Sequence, residues 1–425
     1  MKEDKTTGRL PRPKKTLALA LAAALAAPSP ALATLGYFAH GYGLKAKGMG
    51  GVAIALPQDT TSAITNPANL GLVGNRIDLE VEWFRPNRGA EIVNPLLGGT
   101  WDANGRKDFI IPGVTFGRAL RPDLSAGLLV YGNGGMNTTF DRNPFAALGG
   151  SNPGGVDYMQ LFLSPTIAWK PSENHALGLS LNFVYHQFGA QGLEPFAPLS
   201  ANPGNVTNLG RDDSWGIGFR LGWTGRVSES VTLGAMWQPK TNMGKLDRYR
   251  GLFRNGGDLD IPALWGVGIA LRATPRLTVA ADLQRIDYAK IPAIGTSPDC
   301  LFNFTCQLGA ADGPGFGWRN MSALKLGLGY EWSRELTLRA GFATGRQPIP
   351  ERHTFLNVIF PAVMEDHLTL GATWKLGDHE LTIGYMHAFR KKVNGSGSIP
   401  GAFGGGEANL RMHQNAIGIG LGWRM

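Results

Sequence analysis

From about residue 76 onward the chain alternates between apolar and small or polar residues, the period-two pattern that puts successive side chains on opposite faces of a strand. In the C-terminal stretch "AIGIGLGWRM", Ile417, Ile419, Leu421 and Trp423 share one face, opposite Gly418, Gly420, Gly422 and Arg424. "LWGVGIALR" sets Trp265, Val267, Ile269 and Leu271 against Gly266, Gly268, Ala270 and Arg272. "WGIGFRLGW" and "LKLGLGYEW" repeat the scheme.

A water-soluble sandwich also alternates, so three further features decide the class. Many segments run to ten residues or more, beyond the roughly five or six typical of soluble strands. Trp83, Trp169, Trp223, Trp237, Trp265, Trp374 and Trp423 close the apolar stripes, as an interfacial girdle does. The connections alternate in length. Short turns carry "RPD" at 121, "PSEN" at 171, "SES" at 228, "TPR" at 274, "SRE" at 333 and "GDHE" at 377. Long loops lie near 89–105, 141–156, 192–211, 243–257, 290–319, 345–362 and 393–408.

Seven long loops and six short turns predict fourteen strands. In lipid every backbone polar group needs an internal partner, and a closed barrel leaves no edge. The expected fold is all-β: a 14-stranded antiparallel transmembrane β-barrel over residues 77–425. About eight strands already give an interior that side chains just fill, so a barrel this wide needs a plug. The segment "KGMGGVAIALPQDTTSAITNPANL" at 47–70 is small-residue-rich and matches none of the later pattern. Residues 34–76 are therefore expected to form an N-terminal hatch in the lumen.

Composition sharpens this picture. Sixty of 425 residues are glycine, roughly double the usual share of about 7 per cent. The net charge of +9 is spread along the chain with no basic stripe interleaved with stacking aromatics, which argues against nucleic acid. Ahead of the hatch, Lys14 and Lys15, the apolar core "TLALALAAALAA" and "ALA" at 31–33 read as a signal peptide over 1–33, with the mature chain starting near Thr34. The core is too short to span a bilayer as a helix. Cys300 and Cys306 in "CLFNFTC" are expected to form a small structural disulfide, as an exported chain permits.

Three stretches resemble the FadL-type outer-membrane transporters of long-chain fatty acids and other hydrophobic compounds. "GLKAKGMGGVAIALPQDTTSAITNPANL" looks like that family's hatch with its Asn-Pro-Ala signature. "KLDRYRGLFRNGGDLDIPALWGVGIALRATPRLTVAADLQRIDYAKI" is similar to its mid-barrel loop, paired strands and turn. "LKLGLGYEWSRELTLRAGFATGRQPIP" is similar to a later hairpin. The resemblance covers the mature chain in order, and it implies a monomer in the Gram-negative outer membrane, surrounded by outer-membrane lipid. It further implies ligand capture among the outer loops, a pocket inside the barrel, and sideways release at an inward kink in the third strand. The chain departs from the family at its end, stopping at "WRM" rather than on a terminal aromatic, with Trp423 two residues away.

Candidate site residues follow. The third predicted strand, "LSAGLLVYGNGGMNTTF", holds Gly132, Asn133, Gly134 and Gly135, which tolerate positive φ and suit a bulge, a kinked gate or a plain turn. Asn66, Pro67 and Ala68 form a turn that fixes or gates the hatch. On the loop "LDRYRGLF", Tyr249, Leu252 and Phe253 are expected to be exposed as a capture surface, or to pack on "EPFAPL" at 194–199. Arg220, Arg272, Lys325 and Arg339 are expected to face inward; a carboxylate headgroup would use Lys325 or Arg220. Asp78, Glu80, Glu82 and Asp282 face inward too, and mutual neutralisation of all these charges is the plainer expectation. Phe38 is a candidate to cap the inner pocket or to anchor the plug.

Catalysis finds little support. There is no G-x-S-x-G elbow and no His/Cys cluster with metal spacing, so no catalytic residue, metal or cofactor is assigned. "GMGGVA" lacks the strand and βαβ context of a dinucleotide site. His186 and His367 are expected to face inward without an identifiable nucleophile. The expected partner is a hydrophobic small molecule, most simply a long-chain fatty acid. Alternatives are an aliphatic or aromatic hydrocarbon carried in the same way, a non-selective porin, or a barrel hydrolase.

Overall fold

The computed structural model describes residues 35–425; the predicted signal peptide and Thr34 lie outside the described residues. Fourteen strands form one antiparallel sheet: β1 (Arg76–Val93), β2 (Phe109–Arg121), β3 (Leu124–Phe140), β4 (Gly154–Ser172), β5 (His175–Gln191), β6 (Arg211–Arg226) and β7 (Val231–Gln238) make the first half. The second half is β8 (Leu264–Arg272), β9 (Leu277–Ile286), β10 (Met321–Glu331), β11 (Leu336–Gly345), β12 (His367–Leu376), β13 (His379–Val393) and β14 (Glu407–Arg424). Each pairs with its sequence neighbours, and β14 pairs with β1 from Arg424↔Arg76 to Glu407↔Val93, closing the barrel. A short extra strand, Gly99–Asp102, folds back onto β1. The first long loop starts after Val93, later than the sequence pattern places it.

The alternation lands as the pleat requires. Ile417, Ile419, Leu421, Val267, Ile269 and Leu271 are exposed on the outer wall, the side that meets lipid in an outer-membrane barrel. Trp83, Trp169, Trp215, Trp237 and Trp265 are exposed there too, near the ends of the apolar stripes. Among the described residues no helix is long and apolar enough to cross a membrane.

The glycines of the inner face have a specific cause. Residues 35–71 are almost wholly buried, and their backbone lies directly on the inward side of the wall. A Cβ on Gly341 would sit 2.0 Å from the Gly50 nitrogen, and one on Gly234 would sit 2.3 Å from the Ile54 oxygen. At Gly222 it would meet Asn66 Oδ1 at 1.9 Å, and at Gly178 the Ala68 nitrogen at 2.2 Å. Glycine thus recurs on the inner face because the N-terminal segment, by its main chain at Gly341, Gly234 and Gly178 and by the Asn66 side chain at Gly222, packs there at a separation that no Cβ permits.

Candidate functional site

Charges hold the N-terminal segment at the short-turn end. Lys45 Nζ is 2.5 Å from Glu380 Oε2, which also receives Arg76 Nη2 at 2.8 Å. Arg76 bonds Asp78 as well, and Lys47 Nζ reaches Glu82 Oε1 at 2.8 Å. Glu80 accepts the Leu44 amide at 2.9 Å. Asp282 Oδ2 receives the amides of Ala53 and Ile54 at 2.8 and 2.9 Å. The inward carboxylates of β1 and β9 are therefore occupied by the N-terminal segment or by Arg76. Asn66, fully buried, donates to the carbonyls of Ile54 at 2.7 Å and Trp223 at 2.9 Å and to Thr224 Oγ1 at 2.9 Å. Its Oδ1 accepts the Ala68 amide at 3.1 Å, so the Asn66-Pro67-Ala68 turn is bonded to β6.

The other end of this segment lies on β3. Tyr288 is the hub: its hydroxyl accepts the amides of Tyr37 at 3.1 Å and Phe38 at 3.3 Å and donates to the Leu35 carbonyl at 2.5 Å. Burial pushes this phenol well above its ordinary pKa, which keeps the donor protonated. Tyr37 packs edge-on to Phe38, Tyr158 and Tyr288 with centroids 4.9–5.7 Å apart. Phe38 bridges to Gly134, the Gly135 amide bonds the Tyr37 carbonyl at 2.9 Å, and the Ala39 amide bonds the Asn133 carbonyl at 3.2 Å.

These contacts occur where β3 leaves β2. Pairing between the two ends at Gly113↔Tyr131, while β2 continues on β1 up to Phe109↔Phe84. On its other side β3 pairs with β4 throughout, with a register shift between Gly132 and Gly134 that leaves Asn133 as the bulged residue. The outer half of β3 therefore has no β2 partner. Its open edge is met by Tyr37–Ala39, by Ala103–Gly105 of the first long loop and by the Arg88 guanidinium, which donates to the Asn137 carbonyl. None of Gly132, Gly134 and Gly135 has a positive φ, so this bulge does not draw on their conformational freedom. Close approach is the physical reason for Gly134, since a Cβ there would lie 2.0 Å from the Tyr37 oxygen.

The bulged Asn133 begins a buried polar chain. Tyr42 Oη donates to Asn133 Oδ1 at 2.7 Å, and Asn133 Nδ2 donates to Gln160 Oε1 at 2.7 Å. Gln160 donates to Tyr158 Oη at 2.8 Å, which lies 3.4 Å from His186 Nδ1. His186 Nε2 is 2.6 Å from Ser214 Oγ, a neighbour that sequence reasoning missed because the two lie on different strands. The group behind His186 is a neutral tyrosine hydroxyl, so no carboxylate orients this pair as a hydrolase triad requires. His367 is fully buried and stacks on His40 at 5.6 Å.

The predicted inward cations divide. Arg220 and Lys325 are 1 and 2 per cent exposed. Arg220 bonds the neutral Gln238 Oε1, at 2.7 Å from Nη2, and also engages the Tyr131 hydroxyl. Lys325 Nζ bonds Gln284 Oε1 at 2.6 Å, although Asp282 is its cross-strand neighbour. Arg339 bonds Gln58 and Thr373 at the short-turn end. Asp78 and Glu82 thus pair directly with cations, whereas Lys325 faces Asp282, and Arg339 faces Asp59 and Glu380, without a direct ion pair. Arg272 is exposed at the end of β8 rather than enclosed.

The long loops converge on a second feature. Tyr249 and Phe253 are buried and Leu252 half-buried, not exposed as one reading of the sequence expects. Tyr249 Oη donates to the Gly210 carbonyl at 2.5 Å and accepts the Ala190 amide at 3.0 Å, so it ties two loops together. Leu252 and Phe253 instead line a small pocket of about 40 Å³ with Phe196 of "EPFAPL", Phe145, Phe316 and Ile359. No charged or polar side chain lines it. Cys300 and Cys306 are disulfide-bonded in the loop that contributes Leu301 and Leu308 to this pocket.

With this geometry in view, the comparisons with known proteins agree. Residues 23–425 match the family model described as outer membrane protein transport protein (OMPP1/FadL/TodX). A 47 kDa outer membrane protein of Pasteurella multocida (strain Pm70) is 23% identical over 222 residues, 46% of this chain and 49% of that protein. The chain thus matches about half the length of that curated relative. Three crystal structures share the fold. The Pseudomonas aeruginosa FadL homologue gives a TM-score of 0.70 at 17% identity, covering 91% of this chain and 99% of that one. The Pseudomonas putida toluene transporter TodX gives 0.67 at 18% identity, covering 92% and 100%. The Ralstonia pickettii toluene transporter TbuX gives 0.63 at 18% identity, covering 91% and 99%. A closed fourteen-stranded barrel with a lipid-facing belt, matched by the family model over nearly its whole length, belongs to the OMPP1/FadL/TodX family of the Gram-negative outer membrane.

Proposed function

We propose that the protein carries hydrophobic molecules passively across the outer membrane, with long-chain fatty acids as the first candidate cargo. The carrying observation is the wholly apolar pocket among the long loops, which offers a molecule leaving water a surface with no polar group to desolvate. The family match supports the reading, and two structural relatives are toluene transporters, TodX and TbuX. In this account residues 35–75 act as the hatch that seals the lumen. The half of β3 without a β2 partner is the side exit into the membrane, held shut by Tyr37–Ala39 and the first long loop. Phe38 and Gly134 form that contact, so cargo entering near Tyr288 competes with it.

Two observations bear on the cargo. Arg220 and Lys325 are buried cations bonded to neutral groups and to no carboxylate directly, the state in which a carboxylate headgroup gains from arriving. The loop pocket, by contrast, has no cation at all, and that favours a neutral hydrocarbon. Native mass spectrometry of protein loaded with oleate decides between them. Headgroup recognition predicts that Arg220→Gln with Lys325→Gln lowers oleate retention about tenfold while leaving toluene uptake unchanged. Unchanged oleate retention would remove both residues from the site and leave the hydrocarbon reading.

A further inference from the structure

The outer wall of the barrel is not uniform in charge. On β1, β13 and β14 the outward residues below are aliphatic or aromatic: Trp83, Ile383, Tyr385, Ile417 and Ile419, all exposed. Trp83 and Tyr385 both face Ile417 across the ladder, so they mark one level of the girdle. Two residues further toward the long loops, Arg85, Asn415 and His387 form the next row. His413 follows, with Arg390 at the bulge beside it, and then Lys392 opposite Arg411. Six residues separate Ile417 from Arg411, about 20 Å along a strand at roughly 3.3 Å per residue. With a tilt of about 40° this places the cations within about 15 Å above the girdle.

Carboxylates on this face are fewer. Arg85 lies 3.6 Å from Asp108 and Lys392 lies 2.9 Å from Glu91. Among the described residues Arg390 has no ion-pair partner, Arg411 shares the field of Glu91 with Lys392 without a direct ion pair, and Glu407 lies further out, at the start of β14. Gly89 gives room for Arg411: its missing Cβ would lie 3.1 Å from the Arg411 Nε and Nη2. Two other outward arginines at the long-loop end are already engaged. Arg211 shares Asp157 with Arg106, and Arg285 bonds Asp287.

We propose that the outer face of β13, β14 and β1 is a binding site for a phosphorylated glycolipid of the outer leaflet. Its acyl chains would lie on the aliphatic and aromatic belt, and its phosphates on Arg390, Arg411 and the imidazoles of His387 and His413. Guanidinium forks match phosphate geometry bidentately, and a basic cluster just above an apolar belt complements a lipid with an anionic head. A free phosphate would use only the upper half of this surface, and a neutral lipid only the lower half. The site stands apart from the transport path, because every residue in it faces away from the lumen.

The test uses the full mature chain in phosphatidylcholine nanodiscs doped with diphosphoryl lipid A, with bound lipid counted by native mass spectrometry. Arg390→Gln combined with Lys392→Gln and Arg411→Gln is expected to lower lipid A retention at least about tenfold. Arg285→Gln with Lys290→Gln, on another side of the barrel, should leave it unchanged. Heat-modifiable gel mobility confirms that both variants fold. Dephosphorylated lipid A should be retained as poorly by the wild type as diphosphoryl lipid A is by the triple variant, and millimolar inorganic phosphate should not displace the lipid. Equal retention by the triple variant, equal retention of the dephosphorylated lipid, or full displacement by phosphate would each overturn the proposal. So would a wild-type dimer that the triple variant abolishes, since the face would then serve a second copy of the chain.

Discussion

Gly134 shows how one missing side chain holds two parts of the molecule together. The Tyr37 carbonyl occupies the space a Cβ would take, and the Gly135 amide bonds that same carbonyl. Gly134→Val should displace Tyr37–Ala39 from β3 at a cost of about 1–3 kcal/mol, the usual range for forcing bulk into a packed site. Hydrogen exchange at Ala39 and Gly135 reports it: both amides should exchange at least about tenfold faster, with β8–β12 unaffected. Unchanged exchange would mean that this contact does not hold the segment. At this scale the sequence was partly legible. Alternating glycines opposite Ile417, Val267 and Leu326 were visible, but their reason was not, because it lies in residues far off in sequence, such as Leu44 at Gly418, Ile54 at Gly266 and Met49 at Gly327. The same holds for Arg220 and Lys325, whose inward aim follows from alternation while their glutamine partners depend on register. Tyr288 gave no signal, since a lone tyrosine after a strand has no periodicity to mark it.

Among the elements, β3 matches its predicted span from Leu124 to Phe140 residue for residue. Its separation from β2 beyond Tyr131 was not readable, because alternation specifies which face a residue takes and not which neighbour it pairs with. The long loops were readable as loops and misread in part as surface: Tyr249 and Phe253 turn inward once five loops share one pocket. Within them the Cys300–Cys306 bridge closes a short stretch beside Leu301, which lines that pocket. Replacing both cysteines by serine should loosen this loop and weaken binding of a hydrophobic probe there by about threefold to tenfold, while the barrel's thermal transition stays in place. A bridge spanning so few residues removes little entropy from the unfolded chain, and none of the barrel's strand pairing depends on it. A lowered barrel transition would show that the loop cluster is part of the cooperative unit.

For the whole molecule, strand count, closure and the lipid-facing belt follow from loop spacing and alternation, because a membrane barrel permits few other solutions. What the pattern did not show is that the inner face is shaped around main chain rather than around water. That close packing, an apolar pocket among the outer loops and an unpaired half-strand support the proposed passage of molecules that avoid water. Uptake of radiolabelled oleate and of toluene by cells lacking their own outer-membrane hydrophobic transporter is the most direct measurement. The account predicts that this chain restores uptake of at least one of them severalfold over empty vector, while Phe196→Asp with Phe253→Asp, equally abundant in the outer membrane, restores little. Restoration of neither by the wild type, or equal restoration by the double variant, would contradict it.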